Sequence, residues 1–476
     1  MSDESDDQSS EDSSESDDES SEAPSEPDAF ERTLAAVRDR IVPDADEYRA
    51  LERVTEVLLD RTRAAVDDVC PDADVRLAGS TARDTWISGE RDVDIFVRFP
   101  PELDRETLER HGLAIGHAVL PDGVEEYAEH PYVTGEYDGF DVDLVPCYRL
   151  ESATDIRSSV DRTPFHTAYV VDRLDEETAE EVRYTKAFMD AIGVYGSDLR
   201  TRGFSGYLTE LLVLEYGDFR ALCAAAADWQ PPIRLDPADH ASATFSDPLV
   251  VIDPTDPERN VAAVCSAASV ARLQHHARAL LADPQPSLFD HDDPGPITPA
   301  ALESHLERRG TTAFAIRFPA PDLVDDQLYP QLERSRWGLI DELDRRGFDV
   351  CRSAAFADET AVLLVELAVA ERPTIERHVG PPVAVRAHAE GFFDAYADDP
   401  DVYGPFLDED RYVVEREREF TSARAILEGE TLLDVRLGTH VETALESDYD
   451  VLVDDELTAL VDEFGRELTR YFEPHI

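Results

Sequence analysis

The chain has 476 residues and combines 106 acidic with 44 basic residues, which gives a net charge of −62 at pH 7. Apolar residues make up 42% of it. This is enough to build buried cores in about two to four domains and excludes a wholly disordered acidic chain. The surplus of negative charge excludes recruitment to membranes or nucleic acid by bulk attraction, although specific binding sites stay open.

Lys186 is the only lysine among the basic residues, and the chain has only 2 methionines. Acid excess with arginine in place of lysine predicts adaptation to molar salt, where charge is screened over about 3 Å. An acidic protein from ordinary salt is the alternative. Neither a signal peptide nor an apolar membrane span is recognisable, so we predict a cytoplasmic protein with no membrane partner. The 5 cysteines are widely spaced without a C-x-x-C pair and indicate neither disulfides nor zinc.

Residues 1–28 are almost entirely Ser, Asp and Glu and predict a disordered acidic tail. An α/β pattern follows over residues 29–158. Apolar residues at helical spacing predict two helices between 29 and 69, broken near Pro43. The elements predicted after them are a strand at Val75–Ala78, a strand at Asp92–Phe99, a helix at about 103–118, an extended segment at 124–137 and a strand at Phe140–Pro146.

Residues 159–285 are predominantly helical, and a linker rich in Pro, Asp and Gly over 283–299 separates them from a second α/β region, residues 286–476. The helices predicted in the first of these regions are Glu176–Ile192, Tyr207–Tyr216 and Val261–Leu281. The elements predicted in the second are strands at Phe314–Phe318, Asp349–Ser353 and Ala361–Ala368 and helices at Leu328–Arg346 and Val385–Asp398.

The most informative motif is Gly79-Ser80, followed after eleven residues by Asp92-Val-Asp94. Alternate residues of a strand point to one face, so Asp92 and Asp94 project together while their neighbours pack below. A third carboxylate, Asp143, lies in the later apolar strand. Such carboxylates suit Mg²⁺, and a Gly-Ser turn can hold phosphate through its N–H groups and hydroxyl. A lone D-x-D would be ordinary in so acidic a chain, but surface acidity does not place carboxylates in apolar strands.

This motif resembles the signature of the DNA polymerase β-like nucleotidyltransferase superfamily. The surrounding segments are similar to the archaeal (class I) CCA-adding tRNA nucleotidyltransferases, from about residue 30 to the C-terminus. They are 79–99, 127–135, 142–148, 160–166, 202–207 and 378–383. The resemblance implies a multidomain α+β fold with a polymerase β-like catalytic head (29–158), a helical nucleotide-binding central domain (159–285) and a C-terminal α/β RNA-binding body and tail (286–476).

The resemblance also implies an activity: template-independent addition of C, C and A to the 3′ end of tRNA from CTP and ATP. Asp92, Asp94 and Asp143 would bind two Mg²⁺ ions, with Asp143 assisting the tRNA 3′-hydroxyl. Ser80 and Arg83 would contact the triphosphate. Many relatives carry Glu at the position of Asp92, a change that preserves the charge, and we expect catalysis to be retained.

Five further residues are predicted to bind nucleotide. Lys186 is a compact charge suited to phosphate, and the resemblance places a triphosphate-binding lysine in its helix. His166 and Tyr195 match the nucleotide-contacting His and Tyr of the family, although alone each would suggest a packing or turn residue. Arg259, together with the amide of Asn260, could read the base edge; a solvated helix start is the alternative. His130 is a weaker candidate.

The C-terminal third places arginines beside aromatic residues on an acidic background, and the family would use this region to bind the acceptor stem and T arm of tRNA. Recognition of duplex RNA by shape and phosphate contacts requires no base-reading code. Which arginines contact RNA is open, as is a homodimer. The candidates are Arg334, Arg336, Trp337, Arg377, His378, Arg411 and Tyr412.

Two other functions fit the same residues. A poly(A) polymerase or oligoadenylate-type nucleotidyltransferase would use the same carboxylates with a different acceptor. A catalytically inactive relative would bind RNA without incorporating nucleotides. Nucleotide incorporation on tRNA lacking its 3′ end distinguishes all three.

Overall fold

The computed structural model describes residues 27–127, 129–291 and 293–476. The predicted acidic tail therefore lies outside the described residues, except for its last two. Asp28 accepts a hydrogen bond from the backbone N–H of Glu31 and forms a capping box that begins α1 (Ala29–Ile41). The first helix thus starts where the acid-rich run ends.

The head of the molecule is a sheet covered on one face by helices. Its elements are α2 (Ala45–Val69), β1 (Asp74–Ala78), α3 (Gly79–Arg83), β2 (Asp92–Phe99), α4 (Arg105–Val119), β3 (Val124–Tyr127), β4 (Pro131–Tyr137) and β5 (Phe140–Tyr148). The strand order is β1-β2-β5-β4-β3, with β2 and β5 parallel and the other neighbours antiparallel. Leu58 of α2, Ile115 of α4 and Ile95 of β2 lie in one buried core, which fixes the face of the sheet that the helices cover.

The middle of the chain is helical around a small sheet. Its elements are α5 (Thr163–Val171), α6 (Glu176–Ala191), α7 (Gly206–Tyr216), α8 (Phe219–Ala227), β6 (Ile233–Leu235), β7 (Leu249–Asp253), β8 (Asp256–Asn260) and α9 (Ala267–Ala282). Phe30, Val37 and Ile41 of α1 are buried in the core of this region and not in that of the head. The first helix therefore packs against residues that lie far from it in the sequence, and not against the head that follows it.

The C-terminal region contains two sheets. Its elements are α10 (Pro299–Arg309), β9 (Thr312–Pro319), α11 (Asp325–Arg345), β10 (Val350–Ala357), β11 (Thr360–Leu367), β12 (Ile375–Pro382), α12 (Arg386–Tyr396), β13 (Tyr403–Asp408), β14 (Arg411–Glu417), α13 (Ala423–Leu427), α14 (Thr439–Ser447), β15 (Asp450–Val453) and α15 (Val461–Phe472). The strand orders are β10-β11-β9-β15 and β12-β14-β13. Leu363 and Leu364 of β11 lie in separate cores, so the four-stranded sheet is buried on both faces.

The structure differs from the predicted elements at one helix and contains strands that were not predicted, among them β6, β7, β8 and β15. The helix predicted from Val261 begins instead at Ala267, because residues 256–260 form β8 and Ser266 caps the helix. The sheet formed by β12, β13 and β14 was not predicted. Among the described residues, no helix is long and apolar enough to cross a membrane.

Candidate active site

The predicted carboxylates lie on two adjacent parallel strands, and the register brings them side by side. Asp92 of β2 pairs with Asp141 of β5, and Asp94 pairs with Asp143. Side chains at paired positions of parallel neighbours share a face, so all four carboxylates lie on one face of the sheet. The intervening residues, such as Val93, are buried in the core on the other face. The strand alternation thus produces the predicted cluster and adds Asp141 to it.

Mutual repulsion and burial both act on these carboxylates. Burial first, and then the charges of Asp143 and Asp92, raise the pKa of Asp94 to about 6. Burial also raises the pKa of Asp143, to which Thr134 donates a hydrogen bond that opposes the shift. The pKa of Asp92 is raised by burial and by the charge of Asp141. The charges of Lys186 and Arg83 offset only part of these shifts, so the carboxylates still repel one another, which is the electrostatic condition for binding a cation.

Gly79 brings the Gly-Ser turn against this cluster. Ala78, at the end of β1, pairs with Asp94, and the chain then enters the short helix α3. Gly79 has a φ of +69°, and a Cβ at this position would lie 1.8 Å from Oδ2 of Asp94. Only glycine fits the approach, which leaves partly buried Ser80 next to the carboxylates.

The donor set of the cluster fits a hard divalent cation. Within the described ranges, no three Asp, Glu, His or Cys side chains are already arranged as a complete metal site. Mg²⁺ commonly binds one or two carboxylates and completes its coordination with water and substrate phosphates, so an incomplete set of oxygen ligands suits it. Asp92, Asp94 and Asp143 are the residues that could hold such an ion.

Arg83 and Lys186 lie in a buried polar network between the head and the central helices. Nε of Arg83 donates to Oε1 of Glu210 at 2.8 Å, and the Thr85 hydroxyl donates to the same oxygen at 2.6 Å. The Lys186 ammonium donates to the backbone carbonyl of Thr85 at 2.7 Å. Burial lowers the pKa of Lys186, and the Glu210 and Glu90 carboxylates oppose that shift. Glu210, which is fully buried, is a site residue that the sequence analysis missed.

Tyr195 borders this network. Its ring centroid lies 5.9 Å from Nζ of Lys186, and burial raises its pKa. The structure therefore brings Tyr195 and Lys186, two of the predicted nucleotide-binding residues, close together. In the conformation observed, the bonds of Arg83 and Lys186 are made to protein, and contact with a triphosphate would require these side chains to exchange partners.

His166 and Arg259 meet on a carboxylate that the sequence analysis did not single out. Nε2 of His166 and Nη1 of Arg259 each lie 2.8 Å from Oδ2 of Asp253. The His166 ring stacks on Tyr207 with centroids 3.9 Å apart and an interplanar angle of 12°. Asp253 is a charged residue at the end of an otherwise apolar strand, and that position was the signal that could have revealed it.

Asn260 and His130 have structural partners. The Asn260 amide donates to Asp247 and to the Leu249 carbonyl, and its oxygen accepts the N–H groups of Val251 and Ala262. All hydrogen-bonding positions of this buried amide are thus used, and reading a base would require breaking them. His130 is buried and pairs with a glutamate of α4.

The predicted RNA-contacting residues of the C-terminal region do not form one patch of free cations. Arg377 pairs with Asp408, Arg336 with Glu333, and Arg411 donates to the Gly380 carbonyl. Arg334 likewise donates to a backbone carbonyl. The exposed aromatic surface includes Trp337, Tyr403 and Phe406; His378 stacks on Phe392, and Tyr412 packs against Phe393.

Three family models match successive parts of the chain. A nucleotidyltransferase domain matches residues 59–166, the second domain of tRNA nucleotidyltransferases matches 180–290, and the C-terminal domain of CCA-adding enzymes matches 309–454. The parallel strand pair with its carboxylates lies inside the first match. Fold and site together define a nucleotidyltransferase, as predicted, with an α+β multidomain architecture.

Full-length relatives identify the family. A CCA-adding enzyme of Haloarcula marismortui is 58% identical over 94% of this chain and 99% of its own length. That of Halorubrum lacusprofundi is 57% identical over 94% and 100%, and that of Methanoregula boonei 44% over 86% and 89%. The chain belongs to the archaeal CCA-adding enzyme family. The predicted adaptation to salt is consistent with relatives from Haloarcula and Halorubrum.

Proposed function

We propose that this enzyme adds C, C and A to the 3′ end of tRNA from CTP and ATP without a nucleic-acid template. The observation that carries the proposal is the pairing of Asp92, Asp94 and Asp143 on two parallel strands beside Gly79-Ser80. Family membership supplies the acceptor and the nucleotides, because the relatives are named CCA-adding enzymes.

The carboxylates divide the chemistry between them. Asp92, Asp94 and Asp143 would hold two Mg²⁺ ions, which when bound neutralise phosphate charge and lower the pKa of a coordinated hydroxyl. Asp143 has a raised pKa and lies at the less exposed end of the cluster, so it is suited to accept the proton of the tRNA 3′-hydroxyl. Ser80 would hold a phosphate oxygen through its hydroxyl.

The network around Glu210 supplies positive charge for the triphosphate. Lys186 and Arg83 are close enough to the carboxylate cluster that their charges offset part of the rise in the pKa of Asp92 and of Asp94, respectively. A triphosphate bound beside these carboxylates would therefore lie within reach of both cations. Tyr195 and His166 would contact the nucleoside.

tRNA would bind along the C-terminal region through its acceptor stem and T arm. Exposed aromatic residues and arginines held by acidic partners suit a surface that recognises RNA by shape and stacking, because molar salt weakens contacts that depend on charge alone.

Incorporation on tRNA that ends at the discriminator base tests the proposal. With Mg²⁺ in molar KCl, we expect two C from CTP alone, one further A when ATP is added, and then no more. An unlimited run of A would show a poly(A) polymerase, and tRNA binding without incorporation would show an inactive relative. Asp94→Ala should abolish incorporation, whereas Asp39→Ala, at an exposed acid of α1, should not.

A further inference from the structure

The Asp253 carboxylate, which is fully buried at the end of β7, divides its hydrogen bonds between its two oxygens. Oδ1 accepts the backbone N–H and hydroxyl of Thr255, at 2.9 and 2.7 Å, and the Tyr207 hydroxyl at 3.3 Å. Oδ2 bonds instead to His166 and Arg259. One oxygen therefore stabilises the β7–β8 turn, and the other orients two side chains, His166 and Arg259, that the sequence predicts to bind the nucleotide.

Within the part of the chain that the structure describes, Arg259 keeps donors available for a ligand. Its guanidinium has five N–H groups, and Nη1 is the donor that Asp253 accepts. The side chain is 31% exposed and lines an open cavity of about 780 Å³ together with Phe245 and Arg162. Because the buried carboxylate of Asp253 holds Nη1, the guanidinium presents its remaining N–H donors in a fixed orientation to a ligand in that cavity.

His166 is fixed just as firmly. A carboxylate only accepts hydrogen bonds, so Nε2 of His166 carries the proton in the bond to Asp253. Burial lowers the pKa of His166, which keeps the ring neutral and leaves Nδ1 as an acceptor. Stacking on Tyr207 fixes the plane of the ring.

We propose that Asp253 is a specificity-determining positioning residue, which selects C and A over U and G by holding Arg259 and His166 on a single carboxylate oxygen. The inference rests on the proposed function, because it requires those two side chains to face the nucleotide. Asp253 itself does not touch the base and acts through its partners.

Asp253→Asn makes the two oxygen positions chemically different, because one of them becomes an N–H₂ group. The amide oxygen can keep the Thr255 bonds, whereas the amide N–H₂ group then faces the donors of Arg259 and His166. We expect the ratio of kcat/KM for CTP to that for UTP to fall about tenfold or more, and the ATP to GTP ratio likewise. Arg259→Ala should lower both ratios, and the double variant should be no less selective than Arg259→Ala alone. Equal loss with all four nucleotides would overturn the inference.

Glu366→Gln is the matched control. Glu366 is also fully buried and also holds an arginine, Arg309, but it lies in the C-terminal region away from the carboxylates of the head. Its substitution should lower thermal stability and leave nucleotide selectivity unchanged; an equal loss of selectivity would overturn the inference. Asp253→Glu, which keeps the charge but displaces the oxygens, is the second variant should Asp253→Asn unfold, and it too should lose selectivity.

Assays of the parent chain distinguish a failure of the proposed function from a failure of the inference alone. If it adds no C and A to tRNA, the proposed function is wrong and the inference falls with it. If it adds C, C and A while Asp253→Asn keeps full selectivity, only the inference is wrong. Dissociation constants for CTP and UTP, measured by calorimetry without tRNA, provide a readout independent of turnover and should converge in Asp253→Asn.

Discussion

The α-carbon of Gly79 lies so close to the Asp94 carboxylate that a single added methyl group would fall 1.8 Å from Oδ2. The left-handed backbone at Gly79, with φ of +69°, is part of the same arrangement. Substitution here must displace either the turn or the carboxylate, because both groups are backed by paired strands.

Gly79→Ala should therefore lower nucleotide incorporation about 100-fold, since a shift of about 1 Å at a reacting centre has an effect of that order. The matched control is Gly89→Ala, because Gly89 also has a positive φ but nothing lies within 4 Å of its added Cβ. Both variants place an alanine at a positive φ, which strains the backbone. Only Gly79→Ala also places a methyl group against the Asp94 carboxylate. Comparable activity of the two variants would contradict the role given to the close approach.

The raised pKa of Asp94 predicts the pH dependence of stability in the absence of divalent metal. Between about pH 4 and 6, the folded state holds a proton that the unfolded state has lost, since the pKa rises from 3.8 to about 6 on folding. Stability should therefore decrease as pH rises through that window. At pH 7, Asp94→Asn should be more stable than the parent by roughly 1–3 kcal/mol in urea unfolding.

Mg²⁺ should reverse the order of stability of the parent and Asp94→Asn. At pH 7 the ion should raise the Tm of the parent and leave that of Asp94→Asn nearly unchanged, because the variant lacks a ligand. At pH 5 the effect on the parent should shrink, since protons compete for the same oxygens. Equal Mg²⁺ stabilisation of parent and variant would show that the ion binds elsewhere.

The buried ion pair of Glu210 predicts that substituting this residue strongly lowers stability. Glu210→Ala removes the partner of Arg83, whose side chain is only 9% exposed, and leaves a buried cation unpaired. The free energy of unfolding should fall by about 3–5 kcal/mol. Glu180→Ala removes the partner of half-exposed Arg38 and should change it by about 1 kcal/mol or less. Similar values in the two variants would contradict the network described.

The buried position of Lys186 predicts that a positive charge alone is not sufficient there for nucleotide binding. The ammonium is fully buried and donates to the Thr85 carbonyl, so a larger guanidinium would have to displace its neighbours. Lys186→Arg should therefore raise the KM for CTP about tenfold, despite a composition that otherwise favours arginine. Arg38→Lys, on the exposed surface of α1, is the conservative control and should leave KM unchanged.

Salt dependence checks the proposed mode of tRNA binding. Affinity carried by stacking and shape should fall less between moderate and molar KCl than the slope of about −0.7 to −0.9 per phosphate contact predicts for a basic protein. Filter binding over a KCl series measures this slope. A steep loss of affinity would indicate binding through phosphate charge.

Local patterns predicted the strands of the head well, because their apolar alternation is set within eight or nine residues. Asp92, Asp94 and Asp143 followed from that alternation. Glu210 and Asp253 did not, since each has a decisive partner more than eighty residues away in sequence, Thr85 for Glu210 and His166 for Asp253. The sheet of β12, β13 and β14 was missed because β13 is largely exposed and lacks apolar alternation.

The location of α1 has a mechanical consequence. From α1, which is buried in the central helical core, the chain enters the head through residues 42–44 and returns through residues 149–162. Two covalent straps thus join head and middle, whereas a simple sequential order would provide one. Any motion of the head relative to the central helices must therefore be accommodated in both connections at once.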